Sequence, residues 1–104
     1  MSKSFEDLEL NVLQWAEARG IFESSTGQAQ VLKAVSEMGE LADAVIKRNQ
    51  EEIKDAIGDT IVCLINAAAF YDTDIVECLN DAYETIKNRR GKMVSGGAFV
   101  KESA

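Results

Sequence analysis

The chain contains no proline in its 104 residues, and most of its seven glycines lie near the ends of apolar repeats or in the C-terminal tail. Proline and glycine interrupt helix interiors, and folds rich in strands and turns use both residues heavily. The apolar content of 46% and charged content of 28% are those of an ordinary globular protein. A chain of this length supports one domain with a modest core. The composition therefore predicts long, uninterrupted helices and an all-α fold.

Four helices are predicted from apolar residues at helical spacing and from capping residues. They span residues 5–19, 27–48, 50–71 and 74–90. The expected caps are Ser4, Ser25 in a capping box with Gln28, Asn49 and Asp74. The second helix has an apolar seam, expected to face the core, formed by Val31, Val35, Met38, Ala42 and Val45.

Short connections between these helices predict antiparallel neighbours, as in a four-helix bundle. Residues 1–91 form the predicted domain, and residues 92–104 form a tail that is either a loop or a short extended segment. Four helices of this size make a thin core. We therefore expect a homodimer or homotetramer.

The net charge of −7 argues against nucleic acid as the main partner, because binding a phosphate backbone needs a basic face. The longest apolar run, residues 60–71, is too short to cross a bilayer, and the N-terminus lacks the layout of a secretion signal. These features predict a cytoplasmic protein. Cys63 and Cys78 lie in apolar helical patterns, which favours two buried free thiols.

Histidine is absent from the sequence. A serine–histidine triad and a typical zinc site both require imidazole, so neither can be built. Any acid–base or metal chemistry must use carboxylates.

The third predicted helix carries the most informative arrangement of carboxylates. Its residues 61–70 are apolar on nearly every side, which is typical of a helix in the interior. At about 100° per residue, four polar residues nevertheless fall in a stripe roughly 60° wide: Glu52, Asp55, Asp59 and Asn66. An aspartate inside such a helix is costly to bury while charged, so we expect Asp59 to meet a cation or hydrogen-bond donors.

The second helix offers a complementary pair of acids, because Glu37 and Glu40 are three residues apart and share a face. On spacing alone, this pair could simply face solvent. Beside an antiparallel third helix, however, the two sets of carboxylates would repel each other unless a positive charge lay between them. Hard oxygen ligands favour Mg²⁺, with Mn²⁺ as a substitute.

Two stretches resemble a known family, the MazG-like, all-α nucleoside triphosphate pyrophosphohydrolases. Residues 30–42, which contain Glu37 and Glu40 in a Glu-x-Gly-Glu-Leu setting, resemble its first ExxE segment. Residues 54–64 resemble the second segment, ExxD, with Asp59 at its aspartate. The sequence departs from the family at Ala56, where the glutamate of ExxD is expected, and at Ser36, where the first acid is often doubled.

The resemblance implies Mg²⁺-dependent cleavage of a (deoxy)nucleoside triphosphate, often a non-standard one, into a monophosphate and pyrophosphate. It assigns Glu37, Glu40 and Asp59 as metal ligands, and Asp55 as a fourth ligand or as the base that orients water. Basic residues near the site are candidates for holding phosphate oxygens, and Arg90 is favoured because its guanidinium is a planar fork. Asn66 and Trp15 could touch the substrate or be structural. The remaining phosphate-binding candidates are Lys33, Lys54 and Lys87.

Three other interpretations stay open at this point. One is a phosphoribosyl-ATP pyrophosphohydrolase, which shares the helical architecture. Another is a non-catalytic nucleotide-binding or regulatory dimer that has lost turnover with the change at Ala56. The last is a structural bundle whose acids are only solvated.

Overall fold

The computed structural model describes residues 2–102 and is mostly helical, which confirms the all-α class. The elements in chain order are α1 (Phe5–Ala18), α2 (Ile21–Ser24), α3 (Gly27–Lys47), α4 (Gln50–Phe70), α5 (Ile75–Ile86), β1 (Gly91–Met93) and β2 (Phe99–Lys101). Two features differ from expectation by more than one residue: an additional single-turn helix, α2, follows α1, and α5 ends at Ile86 instead of residue 90. No helix among residues 2–102 is long and apolar enough to span a membrane.

Side-chain caps explain where the helices begin. Ser4 accepts a hydrogen bond from the Asp7 amide in a capping box, and Asn49 and Asp74 cap α4 and α5 as predicted. The predicted cap of α3 was wrong by one residue. Thr26 is the cap and accepts from the Ala29 amide at 3.0 Å, while Ser25 accepts from the Gln30 side chain instead.

The long helices α3 and α4 form the centre of the fold. Only Arg48 and Asn49 connect them, and Arg48 adopts a left-handed conformation with φ of 57°, so the two helices pack side by side and antiparallel. Small side chains dominate the contact, which brings the helix backbones close together. The buried residues of the two helices include Ala34 and Ala44 on α3 and Ala56, Cys63, Ala67 and Ala68 on α4.

The prediction that the apolar seam of α3 faces the core was wrong. Val35 is 63% exposed, and the rest of the seam is exposed as well. The face that meets α4 instead carries Gln30, Ala34 and Ala44. Part of α4 also departs from the interior position predicted for it, since Ile61 is 36% and Leu64 is 39% exposed. The small side chains of this contact allow the two helix backbones to approach closely, and the larger apolar side chains lie outside it.

The remaining helices pack around this pair. The Phe22 ring of α2 meets Phe70 at the end of α4, with ring centroids 5.2 Å apart. The Glu9 carboxylate of α1 accepts from the Ile75 amide at the start of α5 at 2.9 Å. At the start of α3, a Cβ on Gly27 would lie 2.5 Å from the Tyr71 ring, so any side chain there would require this exposed ring to move.

The C-terminal segment forms an antiparallel hairpin, in which Gly91 pairs with Lys101 and Met93 with Phe99. Of the two structures predicted for the tail, a loop or a short extended segment, the structure has the extended one. Residues 103 and 104 lie outside the described residues. The domain boundary at residue 91 remains a prediction. Both cysteines are free thiols, but only Cys63 is buried, and the expectation that Cys78 is buried was wrong because α5 packs loosely.

Candidate active site

A cavity of about 340 Å³ lies between α3 and α4, and most of its wall is acidic. The acids on α3 lie on successive helical turns, as do those on α4, so the antiparallel pair presents both sets to the same space. Lys47 is the one basic side chain in this wall. The lining residues are Glu37, Glu40, Asp43, Lys47, Glu52, Asp55, Ala56 and Asp59.

All four residues predicted as ligands therefore line one cavity: Glu37, Glu40, Asp55 and Asp59. The reason given from sequence for Asp59 was wrong, however. Asp59 is exposed, so its carboxylate can be solvated by water and does not need a cation to offset burial. The acid that is partly buried is Glu37, whose side chain is only 13% exposed. Glu37 follows Ala34 on the face of α3 that meets α4, and its carboxylate is partly covered for that reason.

The electrostatics of the cavity centre on Glu37, whose pKa is raised above its ordinary value. A carboxyl–carboxyl hydrogen bond with Glu40 contributes most, because it needs a proton on one of the two groups. Partial burial and the negative charges of Glu40 and Asp59 raise the pKa further, and Lys33 opposes them. The negative charge of Asp59 on α4 therefore acts on the Glu37 carboxyl of α3, and a cation between the two helices would relieve this repulsion.

The donor chemistry of this cavity fits a hard divalent cation. Carboxylate oxygens from two facing helices, with open positions left for substrate and water, are the ligands that Mg²⁺ and Mn²⁺ prefer. Among residues 2–102, no three acidic or cysteine side chains already stand close enough together to hold an ion. The fit lies in the type and number of oxygen donors around the cavity.

Ala56 forms part of the wall of this cavity and is buried. The Thr60 hydroxyl donates to the Ala56 carbonyl at 2.7 Å, which gives this buried hydroxyl a hydrogen-bond partner within α4. The position where the resemblance leads one to expect a glutamate thus faces the cavity. Asp55, its neighbour in sequence, also lines the cavity and supplies a carboxylate at nearly the same height along α4.

The predicted substrate-binding residues are placed in several different environments. Lys33 approaches the Glu37 carboxylate at 3.9 Å, and Lys54 is exposed on α4 outside the cavity wall. Lys87 pairs with Glu84, and Arg90 lines a second cavity at the hairpin. Within residues 2–102, neither Lys87 nor Arg90 reaches the acidic cavity.

Asn66 and Trp15, which were predicted either to touch the substrate or to be structural, also lie outside the acidic cavity wall. Asn66 is 1% exposed, and its Oδ1 has no hydrogen-bond partner within the described part of the chain. Trp15 is 47% exposed, so the core packing expected for it is only partial.

Sequence reasoning did not assign three residues of the cavity wall: Asp43, Lys47 and Glu52. Asp43 continues the three-residue spacing after Glu40, and Glu52 belongs to the polar stripe of α4, so spacing held a signal for both. Lys47 gave none, because a lysine in the last turn of a helix is already explained by the helix dipole.

Comparisons with known proteins agree with the arrangement of the two helices. The profile of the MazG nucleotide pyrophosphohydrolase domain matches residues 25–94. An uncharacterized 18.2 kDa protein of Haemophilus phage HP1 is 43% identical over 60 residues, which is 58% of this chain and 37% of that protein. The chain thus spans well under half the length of this relative.

A solved structure shares the fold. It is a MazG-like pyrophosphohydrolase of cyanophage S-2L bound to dGDP and three catalytic Mn²⁺ ions per active site. The two superpose with a TM-score of 0.71 at 13% identity, over 100% of this chain and 98% of that one. The domain match covers both acidic helices. The chain therefore belongs to the MazG nucleotide pyrophosphohydrolase family, whose members are hydrolases acting on nucleotides.

Proposed function

We propose that this protein hydrolyses nucleoside or deoxynucleoside triphosphates to a monophosphate and pyrophosphate with Mg²⁺, and that it clears non-standard nucleotides. One observation carries the proposal: carboxylates from α3 and α4 line a single cavity within a MazG-family domain. Because phosphoryl transfer depends mostly on positioning and electrostatics, a site built of carboxylates and divalent ions is sufficient without histidine.

In this proposal, Glu37, Glu40 and Asp59 hold the divalent ion. The ion, when bound, neutralises the triphosphate and lowers the pKa of the attacking water. Asp55 serves as a further ligand or accepts the proton of that water. Water adds to the α-phosphorus, the bond to the bridging oxygen breaks, and pyrophosphate leaves with that oxygen.

The cyanophage protein supports a divalent ion and a nucleotide as ligands of this fold, because it is bound to dGDP and Mn²⁺. We propose that Mg²⁺ is the working ion here and that Mn²⁺ can replace it, since both prefer oxygen donors. The contacts to substrate remain proposals. Lys33 is the best placed of them, because it already approaches Glu37.

The test is pyrophosphate release from a panel of ordinary, deoxy and modified triphosphates, with phosphoribosyl-ATP included. With Glu37→Gln, Glu40→Gln or Asp59→Asn, we expect a loss on the order of 100-fold, typical of removing one stabiliser of transition-state charge. Asp55→Asn should be intermediate. The matched control is Glu17→Gln, an exposed acid on α1. Wild-type turnover in all four site variants would contradict the proposed site, and a preference for phosphoribosyl-ATP would change the proposed substrate.

A second candidate function is nucleotide binding without turnover, as in a regulatory protein. The specific observation in its favour is Ala56, which stands in the cavity wall where a carboxylate is expected. Calorimetric binding of nucleotide with Mg²⁺, without pyrophosphate release from any member of the panel, would favour this function.

The proposal includes a homo-oligomer, either a dimer or a tetramer. Among the described residues, every buried apolar residue except Ile65 and Cys63 is an alanine, so the core of a single copy is thin. We also propose a cytoplasmic location, where thiols such as Cys63 and Cys78 stay reduced.

A further inference from the structure

The wall of the acidic cavity contains one cation that forms no ion pair. Lys47 lines this cavity from the last turn of α3, and six of the other seven lining residues are acids. Neither of the two ion pairs formed among residues 2–102 involves Lys47. Lys33, by contrast, already approaches Glu37 at 3.9 Å. The Lys47 ammonium is therefore free to bind an anionic group that enters the cavity.

Helix geometry fixes where Lys47 stands along the cavity. It follows Glu40 by seven residues and Glu37 by ten, which places its backbone about 10 and about 15 Å further along α3 at 1.5 Å per residue. Side chains of an α-helix point back toward the N-terminus of that helix. This geometry directs the flexible stem of Lys47 toward Asp43 and Glu40, which is the direction of the proposed metal ligands.

The chemistry of the wall decides which part of a nucleotide the cavity accepts. Apart from Ala56, every described lining residue is charged, so this wall has no aromatic side chain on which a base could stack. Its volume of about 340 Å³ is also at the small end of the range for ligand pockets. The polyphosphate and its ions therefore fit the cavity, and the base and sugar must lie outside it.

The two ends of the cavity differ, which gives the polyphosphate a direction. Glu37 and Asp59 lie at one end, where the charge of Asp59 acts on the Glu37 carboxyl. Lys47 lies at the other end, beside the two-residue connection between α3 and α4. If the ion at Glu37 and Asp59 holds the α-phosphate, a triphosphate laid along the cavity brings its γ-phosphate toward Lys47. An ammonium binds phosphate oxygens as a point charge, and there it would offset the repulsion from the neighbouring acids.

We propose that Lys47 binds the terminal phosphate of the nucleotide and stabilises the departing pyrophosphate, so that the protein selects triphosphates over diphosphates. As the bond to the bridging oxygen breaks, negative charge increases on the leaving group, and a fixed cation beside that group lowers the barrier. The inference rests on the proposed function. It adds the direction of the substrate, with the phosphate chain pointing toward the α3–α4 connection, and a residue that senses the length of that chain.

Calorimetric titration tests this inference without turnover. The ligands are pyrophosphate and the α,β-methylene analogues of dGTP and dGDP, each with Mg²⁺. We expect Lys47→Gln to weaken binding of pyrophosphate and of the dGTP analogue by about 10-fold, as for the loss of one hydrogen bond to a charged group. Binding of the dGDP analogue should stay unchanged, because it has no γ-phosphate. Lys47→Arg keeps the charge and should retain most of the affinity.

The matched control is Arg48→Gln, which removes the next positive charge along the chain. Arg48 is exposed and does not line the cavity, so this variant should bind all three ligands as the wild type does. A titration with Mn²⁺ alone separates phosphate binding from a structural role. Lys47 supplies no oxygen ligand, so Mn²⁺ affinity should not fall in Lys47→Gln, and a fall would show that Lys47 only maintains the site.

The outcomes distinguish this inference from the proposed function. If no triphosphate is cleaved but Lys47→Gln still weakens pyrophosphate binding, the role of Lys47 in phosphate binding holds and the proposed reaction fails. If Lys47→Gln cleaves triphosphates with the wild-type kcat/KM, the reaction holds and the inference is overturned. Unchanged pyrophosphate binding in Lys47→Gln, an equal loss in Arg48→Gln, or a wild-type protein that binds no pyrophosphate also overturns the inference.

Discussion

The spacing between α3 and α4 should control the active site, and it depends on small side chains. Ala34 is 6% exposed on the face of α3 that meets α4, three residues before Glu37. Replacing it with leucine adds three carbon atoms to a contact that has no room for them. We expect Ala34→Leu to move the helices apart and to separate the carboxylates of α3 from those of α4.

The magnitude follows from this packing. Overfilling a close-packed contact costs about 1–3 kcal/mol. For a domain of this size, that cost lowers Tm by about 5–20 °C. Helices with larger side chains at their contact lie up to about 2 Å further apart than those with small ones. Metal–ligand distances tolerate only about 0.2 Å, so we expect Mn²⁺ affinity to fall by about 10–100-fold.

The assay combines thermal unfolding with calorimetric titration of Mn²⁺. The matched control is Val35→Leu, the next residue along α3, which is exposed and should change neither quantity appreciably. A folded Ala34→Leu protein that binds Mn²⁺ with unchanged affinity would refute the claim that the alanine contact sets the distance between the two acidic faces.

Three further predictions concern individual side chains. Ala56→Glu should bind Mn²⁺ more tightly and lose some stability without metal, because it adds a carboxylate to the acidic wall; equal or weaker binding in calorimetry would exclude Ala56 as a ligand position. The raised pKa of Glu37 means that the folded chain holds this proton more tightly than the unfolded chain does. The free energy of unfolding without metal should therefore fall as pH rises through that pKa. The affinity for Mn²⁺ should rise over the same range, because Glu37 loses its proton. Glu37→Gln should flatten both profiles, and unchanged profiles would contradict the assignment. A disulfide reagent should modify Cys78 rapidly and Cys63 slowly, because Cys63 is buried and its pKa is raised mainly by that burial; equal rates in the native protein would show that α4 opens readily.

Local signals were sufficient for most helix boundaries, and the acids that they selected line one cavity, while the role of those acids as ligands stays a prediction. The caps Ser4, Asn49 and Asp74 accept hydrogen bonds from amides three residues ahead, so their effect is decided within one turn. Thr26 was missed because Ser25 and Thr26 offer the same hydroxyl chemistry. In the structure Thr26 caps α3, while the Ser25 hydroxyl accepts a hydrogen bond from the Gln30 side chain.

The sequence by itself determined an all-α chain with carboxylates at helical spacing on two successive helices, because periodicity and capping are properties of short stretches of chain. Only the tertiary structure decided which face of α3 meets α4. Apolar content pointed to the seam of Val31 and Val45, but close approach of two backbones favours alanine, and the larger side chains remain outside. The same packing covers Glu37 and leaves Asp59 exposed, a difference that depends on how two helices fit together and that neither helix encodes alone.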